Sequence, residues 1–233
     1  MSDEPGSSIS IAGIVRGASD LASTMPTVFV FGVGFGAAAV TFGVSPELAV
    51  TMSSLIFAGA SQYAALDLWQ YPLPILALLI LTVAINARHL VLGATLQPWL
   101  TGVSPPARYG VIALLSDANW AATQQAIGRG EDDVGYLLGG GLALWLAWVA
   151  GTAAGAYASE AVPDLKQLGL DLLLPAFFAC ALMGFAERRS DWRPWLIGAG
   201  CAAAASQLVA VHWSVLLGTA AGGISGWFAD DSN

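Results

Sequence analysis

The chain has 233 residues, 56% of them hydrophobic and only 10% charged, with a mean hydropathy of +0.68 and a formal net charge of −8. Soluble domains carry about 25% charged residues, so this composition leaves too little polar surface to meet water and points to an integral membrane protein. Of the eight basic residues one, Lys166, is lysine, and nothing in so acidic a balance suggests a nucleic-acid partner, which wants clustered Lys and Arg.

In chain order, residues 1–25 read as a polar tail followed by an amphipathic helix over 10–25, carrying Arg16 and Asp20 and lying in the membrane interface. Pro26 opens the transmembrane domain, 26–228, and 229–233 form an acidic tail. The long continuous runs rich in Ala, Leu and Gly predict helices rather than the alternating strands of a barrel. The fold class is therefore all-α, a polytopic helical bundle. Spans are expected at 27–44, 47–67, 73–96, 108–127, 136–158 and 168–186, then one or two more over 195–228, giving seven or eight in all. Ser45-Pro46-Glu47 is a strong helix start: a capping hydroxyl, a proline in the first turn and an acid near the positive helix end.

Basic residues orient such a bundle. With the N-terminus in the cytoplasm, the inside segments hold Arg16, Arg129, Arg188, Arg189 and Arg193, and the outside ones hold Arg108 and Lys166. Small-residue stretches such as "FGVGFGAAA" and "AGTAAGAYA" predict close helix packing. "FAGASQYAA" (57–65) is echoed by "AAAASQLVA" (202–210), a candidate internal repeat. Cys180 and Cys201 have no Cys or His companions at metal-binding spacing and read as small buried apolar residues.

An ionisable group at bilayer depth costs about 2.5–3.5 kcal/mol on insertion scales, so it faces protein or water and marks a functional site. "AINARHL" (84–90) places Asn86, Arg88 and His89 in the third run. Arg suits a carboxylate because its planar fork binds both oxygens, and His89 can change charge near neutral pH. Asp117, Trp120 and Gln124 make a stripe in the fourth run, with Asp117 either the counter-charge of Arg88 or a proton carrier. In "FAGASQYAA" the small residues around Gly59 let the helix unwind, exposing N–H groups to a substrate carboxylate, with Ser61 and Gln62 beside them. Asp171, in "GLDLLLPAFF", suits either a helix N-terminus or a charge-pairing site, and Pro175 kinks that span.

The run "FGVGFGAAAVTFGVSPELAVTMSSLIFAGASQYAALDLW", then "AINARHLVLGATLQPWL", "LLSDANWA" and "GLDLLLPAFF", in that order, resembles the AzlC-type branched-chain amino-acid permeases. The resemblance extends from about Arg16 to about Phe228. It implies a plasma-membrane exporter of branched-chain and related apolar amino acids, working with a small four-helix AzlD-like subunit. It also implies energy from an ion gradient rather than ATP, and no cofactor. The family pattern at the fourth-span acid is commonly Asp-Glu, whereas this chain has Asp117-Ala118, which puts the coupling ion in question.

Within that reading Arg88, Asn86, Gly59, Ser61 and Gln62 bind substrate, Asp117, His89 and Asp171 pair charges or couple ions, and Phe35, Phe57 and Trp120 wall the apolar side chain. The competing readings are a channel or a non-transporting assembly subunit and, at a distance, an intramembrane serine protease suggested by "GISG" (223–226). A protease needs a His within reach of its Ser. With only His89 and His212 in the chain and no span after Ser225 to bring one in, close packing explains the motif better.

Overall fold

A computed structural model describes residues 9–159, 192–209 and 211–230, and the regular structure in them is α-helical. The helices of the first compact unit, within Met1–Leu174, are α1 (Ile11–Asp20), α2 (Met25–Thr41), α3 (Pro46–Leu55), α4 (Gly59–Leu66), α5 (Ile75–Asn86), α6 (Arg88–Leu96), α7 (Pro105–Ile112), α8 (Asp117–Gly128) and α9 (Gly135–Ser159). The second unit, within Pro175–Asn233, holds α10 (Arg193–Ala205) and α11 (Val211–Asp230). The span expected at 168–186, with Asp171 and Pro175, lies outside the described residues.

Helix α9 is the pillar of the first unit. It has 25 residues, and its glycines let the backbones of α1 and α2 lie directly against it. A Cβ at Gly17 would collide with the Tyr136 carbonyl, one at Gly139 with that of Ile14, one at Gly36 with that of Thr152, and one at Gly155 with that of Val33. These are small-xxx-small contacts, which supply van der Waals contact where lipid removes the hydrophobic drive. The partners advance together along both chains, Phe29 meeting Gly151 and Val33 meeting Gly155, so α2 and α9 run in the same direction.

The expected amphipathic segment forms α1, which bends 73° into α2. Ser10 caps it, its hydroxyl accepting from Gly13 N–H at 3.0 Å. Gly13 and Gly17 face α9, while Ile11 and Val15 point outward. Polar groups lash α1 to the loop before α9. Ser10 donates to Asp133 through both its backbone N–H and its hydroxyl. Arg16 binds Glu131 with two nitrogens at 3.0 and 2.9 Å, and Tyr136 donates to Asp20 at 2.8 Å. The "EDD" cluster is thus a docking site for α1.

Seven or eight crossings are not what the described residues display. By length and composition Ile75–Leu96 and Gly135–Ser159 can cross a membrane, and α1 and α2 pass the same test only when the bent pair is taken together as one span. The runs at 47–67 and 108–127, expected as spans, are each broken into two short helices: α3 and α4 around 56–58, α7 and α8 around 113–116. The 73–96 run stays one continuous helix over Ile75–Leu96, with a local lapse of helical hydrogen bonding at Ala87, whose backbone angles remain helical.

In the second unit α10 and α11 pack antiparallel. Gly198 lies against Gly218 and Gly222, and Gly222 against the Pro194 carbonyl. Ser225 donates to the Gly222 carbonyl of its own helix at 2.9 Å, in keeping with a packing role for "GISG". Among the described residues the two Ser-Gln pairs sit in different settings. Ser61 and Gln62 are buried within α4, whereas Ser206 and Gln207 are exposed in the turn after α10.

Candidate functional site

The first break follows α3, which starts as expected, with Ser45 capping and Pro46 and Glu47 in the first turn. The chain is extended at Ile56 and resumes as a helix at Gly59, which lies under the indole of Trp148: a Cβ there would sit 2.9 Å from that ring. No side chain caps α4, so the break leaves N–H groups at its start, as the small residues around Gly59 predicted.

Just beyond the break, Gln62 closes a ring of hydrogen bonds. Trp148 Nε1 donates to Gln62 Oε1 at 3.1 Å, and Gln62 Nε2 donates to Ser53 Oγ at 3.1 Å. Ser53 Oγ and Thr152 Oγ1 are 2.9 Å apart, and Thr152 Oγ1 donates to the Trp148 carbonyl at 3.0 Å. The amide nitrogen can only donate and the carbonyl can only accept, so every direction is fixed: Ser53 donates to Thr152. The ring begins and ends on Trp148, and its side chains are buried. Gln62 is therefore tied up in holding α3 and α4 to α9. Ser53, Trp148 and Thr152 were not singled out from sequence, though a lone Thr in "AGTAAGA" is the kind of signal that marks such a partner.

Ala87, where α5 passes into α6 with helical backbone angles, is the hub of the site. On one side Asn86 Nδ2 donates to Ser61 Oγ at 2.9 Å, and Ser61 Oγ donates to the Ala58 carbonyl at 3.0 Å. Asn86 is thereby held against the α3–α4 break, and its Oδ1 is buried without a hydrogen-bond partner among the described residues. On the other side Arg88 Nη2 lies 3.2 Å from Asp117 Oδ2, which ties α6 to the α7–α8 break. His89 Nδ1 is 3.2 Å from the Asn86 carbonyl. A carbonyl only accepts, so Nδ1 carries a proton and, in the neutral ring, Nε2 is the acceptor.

Asp117 is the first residue of α8, whose cap is Ser116, accepting from Asn119 N–H at 3.3 Å. Expected in mid-span, it sits instead at a helix N-terminus, where a carboxylate suits the dipole. The stripe expected on this helix is real and faces α6: Trp120 Nε1 and Gln124 Nε2 both donate to Thr95 Oγ1, at 2.8 and 3.1 Å. Arg88 meets Asp117 and, seven residues on, Thr95 meets Trp120 and Gln124, so α6 and α8 run in the same direction. Asn119 and Thr123, on the buried side of α8, were missed from sequence. Asn119 Nδ2 donates to the Leu137 carbonyl at 2.9 Å, in space left by Gly140 and Gly141.

The structure thus places Ser61 and Asp117 beside two helix breaks and Asn86, Arg88 and His89 at the α5–α6 junction between them, with Gly59 and Gln62 adjoining the first break. Phe35 is a correction: fully buried, stacked on Trp148 at 5.8 Å and edge-on to Tyr63 at 5.5 Å, it belongs to the core and is no binding wall.

Arg88 and Asp117 keep 43% and 51% of their side-chain surface exposed. A charge pair at this depth cannot rest against hydrocarbon, so that surface must meet protein or water.

A family model described as AzlC protein matches residues 23–162. The Inner membrane protein YgaZ of Escherichia coli (strain K12) is 26% identical over 200 residues, which cover 80% of this chain and 77% of that protein. An uncharacterized membrane protein of Archaeoglobus fulgidus is 31% identical over 175 residues, 70% of this chain and 74% of that protein. No solved structure matches the chain. With its apolar crossing helices and a family match over more than half its length, this chain is a membrane protein that belongs to the AzlC family.

Proposed function

We propose that the chain is the large subunit of a secondary-active exporter of branched-chain or related apolar amino acids, driven by an ion gradient. The observation that carries this reading is the hub at Ala87. Asn86 reaches the α3–α4 break and Arg88 reaches the α7–α8 break, so one junction touches two broken helix pairs and carries a charge pair. Broken helices around buried polar groups are the usual substrate sites of secondary transporters.

In the proposed cycle a substrate carboxylate competes with Asp117 for the fork of Arg88. The unpaired Asn86 Oδ1 accepts from the substrate ammonium, and the uncapped start of α4 at Gly59 faces the carboxylate. Ser61 orients Asn86, and Gln62 keeps the break in shape. Asp117, released from Arg88, is free to take a proton, and the Nε2 of His89 is a second acceptor. Asp171 is retained as an ion-coupling candidate on sequence alone.

Two further features support the finer points. No residue of α5 is buried, and its exposed Leu76, Leu79 and Val83 offer a face to a small four-helix AzlD-like subunit. The N-terminus is assigned to the cytoplasmic side of a multi-pass plasma-membrane protein, on the distribution of arginines.

Counterflow of labelled leucine, valine and methionine in vesicles, with and without the partner subunit, tests the function. Arg88→Ala is expected to abolish flux. Arg88→Lys, which keeps the charge but loses the fork, is expected to raise KM by about 10- to 100-fold. Undiminished flux in Arg88→Ala would remove Arg88 from the site. Ion conductance without saturable amino-acid flux would favour a channel.

A further inference from the structure

We infer that α3–α4 and α7–α8 are not crossings but two in-and-out helix pairs that enter the membrane from opposite faces, their tips meeting on either side of Ala87. Three lines lead there.

The first is the side on which each piece begins and ends. Helix α2 runs with α9, so it finishes level with the end of α9, and α3 starts beside that point after a turn at 42–45. Helix α3 then descends along α9: Ser53 meets Thr152 at 2.9 Å, and the Ser54 carbonyl accepts from Trp145 Nε1 at 3.1 Å. The apolar run Ile75–Leu96 is long enough to cross. It ends at the start of α9, where Leu96 and Trp99 pack with Val134 and Leu137 and Trp99 Nε1 donates to the Glu131 carbonyl at 3.1 Å. Its beginning is therefore on the far face, where α3 also began. A chain that leaves one face at Pro46 and reaches that same face again by Ile75 has gone in and come back. By the same logic α7 starts where α6 ended, and α8 leads into the start of α9, so this pair enters and leaves on the near face. Leu114, at its tip, lies against Gly141.

The second line is charge. If both pairs crossed, Arg108 would lie on the far side, opposite Arg16 and Arg129. As an in-and-out pair, α7–α8 keeps all three on the near face, Arg108 donating to the carbonyls of Thr101 and Val103. The far-face segments 42–45 and 67–74 then hold no Lys or Arg. That is the stricter asymmetry the positive-inside rule favours.

The third is repetition. A crossing helix followed by an in-and-out pair occurs twice, as α2 with α3–α4 and as α5–α6 with α7–α8, in opposite orientation. Inverted repeats of this kind place the site at their interface, and here the interface is Asn86, Ala87 and Arg88. Each pair is thus the movable wall on its own side of the site, one for each face. This last statement rests on the transport reading; the topology does not.

Single cysteines at Phe42, Gln70, Gly102 and Asp132, in a Cys180→Ser, Cys201→Ser background, are labelled with an impermeant maleimide before and after opening the cells. Positions 42 and 70 are expected to label from one face and 102 and 132 from the other. Full crossings would exchange 70 and 102, and any pattern but the expected one overturns the topology. Ala60→Cys should then be reached only from the far face and Ala118→Cys only from the near one. Reaction of both from one face sinks the two-wall idea while leaving the topology intact. An absence of amino-acid flux sinks the transport reading without altering the loop labelling.

Discussion

Gln62 illustrates how a polar side chain is carried at bilayer depth. Both ends of its amide are used, one by Trp148 and one by Ser53, and the remaining donors close through Thr152. Gln62→Leu would strand the Trp148 N–H and remove the donor to Ser53. Leaving a buried group unpaired costs about 1–3 kcal/mol, so the variant should melt several degrees lower in detergent, with no need of substrate to see it. A melting temperature equal to that of the parent protein would show that the ring contributes nothing. Arg88 differs because its partner is half exposed and replaceable. On the proposed cycle, Asp117→Asn should leave stability nearly unchanged, make substrate binding tighter and abolish the dependence of binding on the driving ion gradient. Binding assays in vesicles at two pH values with clamped gradients measure both.

At the scale of elements, much was legible and the exceptions are instructive. The cap at Ser45, the amphipathic α1 and the unwinding before Gly59 follow from local chemistry: a hydroxyl at a helix start, apolar spacing, and small residues that let an indole approach. The break at 113–116 had a local signal too. Ser116-Asp117 is an N-cap followed by a first-turn acid, but in an apolar run it was read as part of a polar stripe in mid-span. The junction at Ala87 has no such signal. Its backbone stays helical, and what marks it is a pair of long-range contacts on either side, Ser61 on Asn86 and Asp117 on Arg88, which no local pattern encodes. The same contrast separates glycines of equal appearance. Gly151→Val should push α2 and α9 apart and cost about 1–3 kcal/mol, since even a Cβ at this position overlaps the Phe29 carbonyl. Gly110→Ala meets open space in α7 and should stabilise by about 0.4–1 kcal/mol. Comparing their thermal unfolding checks both signs.

For the whole molecule, the lash between α1 and the loop before α9 sets a pH limit. The Arg16 guanidinium holds the Glu131 carboxyl below its ordinary range. Burial pushes Asp133 up, but hydrogen bonds from Ser10 and the Gly135 N–H, with the charge of Arg16, outweigh it and leave this group depressed as well. Depressed carboxylates stabilise the folded form above their unfolded pKa, and that contribution is lost as pH falls through the folded value. Helix α1 should therefore stay docked at neutral pH and loosen as the medium is acidified past the ordinary carboxylate range. Hydrogen-exchange protection over residues 11–20 is expected to fall between pH 7 and about pH 2.5, below the ordinary carboxylate range. Equal protection at both would show that the glycine contacts alone hold the helix.

The length of α9 has a mechanical side. Its 25 residues make a rod of about 37 Å, against a hydrocarbon thickness of about 30 Å. Such a rod fits only by leaning or by reaching into the headgroups. The acidic lash is tied at one end of it, and Trp148 and Thr152 near the middle grip the tip of α3–α4. Where the rod leans, a thinner membrane is expected to tip it further and to carry the α3–α4 break with it, through Trp148 and Thr152.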